Sequence, residues 1–351
     1  MSANPTQGAR RLLVFDEDQR LLLDAARELL SQEAPVSRAR ALRDANEVWD
    51  AALWDHLVDQ GWAGLLVPED HDGLGMGLPE AVGLMEAIGR HLAATPMVSA
   101  LMVGPLAPSL GTAEGRRISL AWQEDSRQPD PGHIQATLAD DKVTGTKVLV
   151  IDGTHADGFV VSARDAESVR LVYVDAADAR VEGLTRIDHR DIATVHFEAS
   201  ACRPLAGGLQ ELQAAVDRGT IALSAELLGL GSALTNRTLD YLRTREQFGR
   251  PLGSFQALQH RAVDLFIGLE LTRSAVLGGA FEPCALGTAL AKAQAGEAVC
   301  QAAREGIQMH GGIGMTDEHD AGLYVKRIWC AASLHGDPAW HRGRWARLRG
   351  Y

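Results

Sequence analysis

The chain has 351 residues, too many for one ordinary core, so two or three packed units are expected. It is 46% hydrophobic and 23% charged, with a formal charge of −12, which argues against a nucleic-acid partner because that calls for a basic face. Cys202, Cys284, Cys300 and Cys330 form no CxxC pair, so neither a zinc site nor a disulfide framework is expected, and buried thiols are the default. No apolar run reaches the length of a membrane span, and Met1–Arg11 is not followed by a signal-like apolar stretch. The reading is cytoplasmic.

Asp16 opens the first helix, with Gln19 three residues on, and Pro35 ends it. Trp49 to Gln60 is a second helical stretch, stopped by Gly61. Leu65 to Gly75 is a polar, glycine-broken loop, and Leu78 to Ala94 is the next helix. Near Arg117 the period changes. Val143 to Ile151 alternates, and Phe159–Val161, Leu171–Val174 and Val195–Phe197 are short apolar runs between turn residues, which predicts a small antiparallel β domain. From Leu212 the chain is helical again. Leu227, Leu230, Leu234 and Tyr241 share one helix face; Leu258, Ala262, Leu265 and Leu269 mark a second helix; alanine-rich Ala285 to Ile307 is a third; Arg327 to Leu348 completes the set. The expected fold is α+β, mainly α: an N-terminal helical bundle (1–115), a middle antiparallel β domain (116–205) and a C-terminal four-helix bundle (206–351).

Two turns interrupt that last bundle. One reads Thr244-Arg245-Glu246-Gln247-Phe248-Gly249-Arg250-Pro251-Leu252-Gly253-Ser254-Phe255-Gln256, and the other Gln308-Met309-His310-Gly311-Gly312-Ile313-Gly314. Alone, each is an ordinary helix end. Together, in this order and spacing, they resemble the C-terminal domain of the acyl-CoA dehydrogenase family, whose Arg-x-x-Phe-Gly and Gln-x-x-Gly-Gly-x-Gly turns hold the diphosphate and adenosine end of FAD across a dimer interface, one turn from each subunit. The resemblance extends over nearly the whole chain. Val67-Pro68-Glu69 with Gly73-Leu74-Gly75, Glu86 to Arg90, and Thr144-Gly145-Thr146-Lys147 with Asp152-Gly153 are similar to the family's N-terminal loop, helix and β-hairpin.

The resemblance implies FAD as cofactor and an acyl-CoA thioester as substrate. An arginine fork pairs with phosphate oxygens and is always charged, which suits Arg245 to the diphosphate. Gln247 adds a side-chain contact, and Phe248 packs on the flavin or adenine plane. Phe255 and Gln256 open a helix whose N–H groups favour anions. Gln308, Met309, His310, Gly311 and Gly312 form the second turn. His310 stands where an aromatic or apolar residue is common, and no partner ligand lies near it for a metal.

Two departures stand out. The family reaction removes an α-proton with a glutamate while the flavin takes a hydride from the β-carbon. Many members carry that glutamate in Tyr-Glu-Gly-Thr; here the stretch is Ser333-Leu334-His335-Gly336-Asp337. Other members carry it near the start of the first C-terminal helix, where this chain has Gly219. Glu226, two turns on, is either a displaced base or a packed, salt-bridged glutamate. Asp337, either a base or a helix cap, and His335 are further candidates. In place of the family's Thr-Glu-Pro-x-Ala-Gly-Ser-Asp run, Ala121-Trp122-Gln123-Glu124-Asp125-Ser126 leads almost directly to the next strand. Trp122 is either a flavin-stacking or a core residue.

These losses are similar to those of short subunits of heteromeric acyl-CoA dehydrogenases, some acting on bulky thioesters such as steroid fragments. The expected protein is therefore a flavoprotein subunit, a homo-oligomer or a heterotetramer with a second acyl-CoA dehydrogenase subunit that supplies the base. A self-sufficient enzyme using Glu226 and a non-catalytic scaffold that binds acyl-CoA are the alternatives.

Overall fold

A computed structural model describes residues 15–166 and 168–351. The stretch Met1–Arg11 lies outside them.

Helices α1 (Glu17–Glu33), α2 (Val36–Asp44), α3 (Ala51–Asp59), α4 (Leu78–Arg90) and α5 (Met97–Val103) come first. Asp16 and Gln19 exchange hydrogen bonds at the start of α1, a full capping box. Helix α2 starts directly after Pro35, because proline ends one helix yet suits the start of another. Helix α5 is wholly buried, so it shows no polar face for a periodicity argument to find.

Eight strands follow: β1 (Ile118–Ala121), β2 (Thr137–Ala139), β3 (Lys142–Ile151), β4 (Gly158–Arg164), β5 (Val169–Asp175), β6 (Arg180–Gly183), β7 (Ile192–Ala201) and β8 (Arg203–Pro204). They make one sheet in the order β6-β7-β3-β2-β4-β5-β8, with β1 paired to β4. The sheet is mixed rather than wholly antiparallel, since β1 and β2 each pair parallel to β4. Alternation alone does not reveal strand direction; the intervening β2–β3 hairpin separates β1 from its partner β4 and lets both run the same way.

Helix α6 (Leu209–Thr244) has 36 residues, about 54 Å at 1.5 Å per residue. After the short hairpin β9 (Glu246–Gln247) and β10 (Arg250–Pro251) come α7 (Gln256–Phe281), α8 (Ala285–His310), α9 (Ala321–Ser333) and α10 (Pro338–Leu348). The C-terminal unit thus has five helices rather than four, because His335 and Gly336 adopt left-handed backbone and divide the last stretch. Helices α4 and α6 cross where only glycine fits: a Cβ on Gly89 would lie 2.2 Å from the Glu226 carbonyl, and one on Gly229 2.0 Å from that of Glu86. Glu86 is buried and paired with Arg90 at 2.7 Å and Arg273 of α7 at 2.6 Å. The N-terminal and C-terminal helices consequently share one core. Two thiols, Cys300 and Cys330, are buried; Cys284 is exposed and Cys202 half-buried, against the expectation of burial for all four.

Candidate functional site

The two sequence turns meet at one end of the C-terminal bundle. Tyr241, in the last turn of α6, lies 4.7 Å from the His310 ring at the end of α8. Leu242 and Met309 share a small apolar cluster against which Leu252 and Leu258 pack. The C-termini of α6 and α8 and the N-terminus of α7 are therefore neighbours. Both turns of one chain therefore lie at the same end of its bundle, because the parallel run of α6 and α8 brings their ends together.

Phe248 and Gly249 form the tip of the β9–β10 hairpin, with φ of 56° and 75°. Left-handed backbone at both central residues is the hairpin turn that matches strand twist. Glycine takes it freely, whereas phenylalanine is strained there by about 1–2 kcal/mol. Yet the Phe248 ring is 89% exposed. The turn thus displays a large apolar ring to solvent on a strained backbone. Arg245 is exposed beside it and engages no carboxylate among the described residues, and the Gln247 side-chain amide donates to the Glu246 carbonyl at 2.8 Å. Phe255 lies edge-on to Phe248 at 6.1 Å, under the Arg250 guanidinium. Helix α7 begins at Gln256 without a side-chain cap, leaving its positive end open.

Within the second turn, Gln308, Gly311 and Gly312 are exposed, and added Cβ atoms on Gly249, Gly311 or Gly312 would meet nothing within 4 Å. Met309 and His310 are turned inward. The His310 Nδ1–H donates to the Gly306 carbonyl at 2.7 Å, its ring packs on Tyr241 and His319, and burial lowers its pKa. Their side chains serve the bundle, not the outer face. With uncommitted cation, amide and backbone donors around open space, this end fits the diphosphate and adenosine of a dinucleotide.

The position of the expected base beside Gly219 is closed by comparison. Trp122 is buried edge-on against His335, ring centroids 5.4 Å apart. A Cβ on Gly219 would lie 2.4 Å from Met102 Sδ and 3.1 Å from His335 Cε1, so these two side chains hold the space a helix-borne base would need. His335 Nδ1 faces the Thr220 hydroxyl at 3.2 Å, and that hydroxyl donates to the Val216 carbonyl. Burial, then the nearby Lys292 charge, pushes His335 down to about 3, so it is neutral. Lys292 is fully buried and donates to the carbonyls of Ala331, Ala332 and Gly336, which fixes the turn carrying His335. Glu124 accepts from Lys147 Nζ at 2.7 Å and from the amides of Gln135 and Ala136, tying the segment after β1 back onto the sheet.

Neither carboxylate candidate is free. Both oxygens of Glu226 accept from Arg327, at 2.8 and 2.7 Å, and Arg327 also donates to Asp188 at 3.0 Å; all three are buried. Asp337 caps α10, accepting from the Trp340 amide at 2.7 Å. Each geometry is that of the structural alternative. Sequence reading did not find Met102 or the Glu124–Lys147 tie. The Gly145-x-Lys147 pattern was a signal for the second; a buried methionine offers none.

Family models for the acyl-CoA dehydrogenase N-terminal and C-terminal domains match residues 16–121 and 206–347. The acyl-CoA dehydrogenase IpdE2 of Mycobacterium tuberculosis is 31% identical over 327 residues, covering 92% of this chain and 94% of that protein. The chain belongs to the acyl-CoA dehydrogenase family. Among solved structures, the ChsE4-ChsE5 complex from Mycobacterium tuberculosis aligns with a TM-score of 0.89 and 25% identity, covering 97% of this chain and 99% of that one. The Tcur3481-Tcur3483 steroid acyl-CoA dehydrogenase G363A variant aligns at 0.84 and 28%, covering 95% and 98%. No helix among the described residues is long and apolar enough to cross a membrane.

Proposed function

We propose that this chain is one subunit of a two-component acyl-CoA dehydrogenase, contributing the clasp for the ADP end of FAD while a partner subunit contributes the base and the ring environment. The carrying observation is the contrast between the two ends: open, uncommitted donors around Arg245 and Gly311, against a base position filled by Met102, His335 and Trp122. Arg245 would pair with the diphosphate, Gln247 and Gln308 would add side-chain donors, and Phe248 would cover an aromatic plane. The Gly311 and Gly312 backbone would lie against the adenosine, with the α7 N-terminus at Gln256 adding positive potential. When bound, FAD supplies the hydride acceptor for α,β-dehydrogenation of an acyl-CoA thioester.

Two further observations support the reading. Val263, Phe266, Ile267 and Leu271 form an exposed apolar stripe along α7, at helical spacing, of the kind that a subunit contact covers. One similar solved structure is the ChsE4-ChsE5 complex and another is the Tcur3481-Tcur3483 steroid acyl-CoA dehydrogenase; a bulky polycyclic acyl group is accordingly the proposed substrate class. The test is to purify the chain alone and together with a family member that keeps the glutamate, then measure flavin per chain and acyl-CoA oxidation with an artificial electron acceptor. Flavin retention and turnover only in the complex are expected. Full turnover by the isolated chain would refute the division of labour.

A further inference from the structure

A cavity lies at the other end of α6, about 40 Å from Arg245 along the helix. Its volume is about 540 Å³, within the roughly 300–1,000 Å³ of small-molecule pockets. Leu66, Met76, Leu78, Pro105 and Ile221 give it apolar walls. It is not the space beside Gly219. Met102 and His335, which close off Gly219, do not line it; Arg218, next to Gly219 in the chain, stands about 100° further round α6.

Two charged groups face this cavity. Asp217 is already engaged, by Arg344 at 2.8 and 3.2 Å and by the Gln213 amide at 3.3 Å. Arg218 is not. Among the described residues its side chain donates one hydrogen bond, from Nη2 to the Met102 carbonyl at 3.2 Å, and its buried Nε meets no partner. Burial with no carboxylate to offset it lowers the Arg218 pKa to about 10. A buried guanidinium donor left unpaired is costly unless something arrives to accept from it. The N-terminal end of α8 also reaches the cavity wall through Cys284, Ala285 and Thr288, adding positive potential.

We infer that this cavity is a second ligand site, separate from the flavin and thioester chemistry, that takes a bulky apolar carboxylate with its anionic head on Arg218. The apolar walls accept the body, and the guanidinium fork and helix end accept the head. The inference stands on the cavity and its orphaned donor and does not depend on how FAD is held.

The probe is 1-pyrenebutyrate, with uncharged 1-pyrenebutanol as control, titrated into the full-length chain and followed by pyrene emission. Saturable binding of the carboxylate is expected. Arg218→Gln should weaken it at least about tenfold while leaving the alcohol unchanged. Ala214→Trp, at an exposed position on the cavity wall, should weaken both probes without moving the melting temperature. No saturable binding to the wild type, equal carboxylate affinity in Arg218→Gln, or undiminished binding in Ala214→Trp would each overturn the assignment.

Discussion

Replacing Glu226 by Gln separates a structural carboxylate from a catalytic one. Glu226 gives both oxygens to Arg327, whose remaining nitrogen reaches Asp188 at 3.0 Å, and the three groups are buried where α6, α9 and the β6–β7 loop meet. Breaking a buried pair by removing one partner costs roughly 3–5 kcal/mol. Glutamine keeps one acceptor oxygen and Arg327 keeps Asp188, so the loss should fall near the lower end, about 2–3 kcal/mol. Arg327→Met, which strands two buried carboxylates, should cost more, about 4–5 kcal/mol. The assay is the urea midpoint at unchanged slope, beside acyl-CoA turnover of the complex well below its melting temperature. If Glu226 were the base, Glu226→Gln would lower turnover by about 10²–10⁴-fold and leave stability nearly intact. An unmoved midpoint with turnover down more than about a hundredfold would refute the structural assignment.

Arg245→Ala should lower flavin affinity of the complex about ten- to a hundredfold, read by flavin fluorescence on dilution, with the melting temperature unchanged because the side chain has no internal carboxylate to lose. Phe248→Gly relieves a left-handed phenylalanine, so the urea midpoint should correspond to a gain of up to about 1 kcal/mol while flavin retention falls. Lys292→Met leaves three carbonyls around the His335 turn without their donor and should cost about 3 kcal/mol. Burial lowers Lys292 from 10.5 to about 7, so the unfolded chain binds more protons between those values. The stability tied to this group therefore rises with pH across that window. Stability measured from pH 7 to 10 should show that slope in the wild type and lose it in Lys292→Met.

Much of the architecture was legible because its signals are local. Asp16 with Gln19, Pro35, the alternation in β3 and the leucine spacing of α6 each act within a few residues, where propensity and patterning apply. The misses have physical reasons. A helix buried on all sides, such as α5, carries no polar face, and strand direction within a sheet depends on pairing between distant segments. The division between α9 and α10 turns on the left-handed His335, held by Lys292 more than forty residues upstream.

For the site, the residue order alone determined the two exposed turns at the end of the C-terminal bundle. A hairpin tip with two left-handed positions and a glycine-rich helix end are short-range devices, and Arg245-x-x-Phe248-Gly249 and Gln308-x-x-Gly311-Gly312 spell them out. Only the tertiary structure decided that one chain presents both turns together, that Glu226 is tied to an arginine 101 positions away, and that Met102, Trp122 and His335 converge on the place of the missing base. Those outcomes depend on which side chains fill a space shared by separate helices and strands. Filling a shared space is a property of packing, and no run of neighbouring residues encodes it.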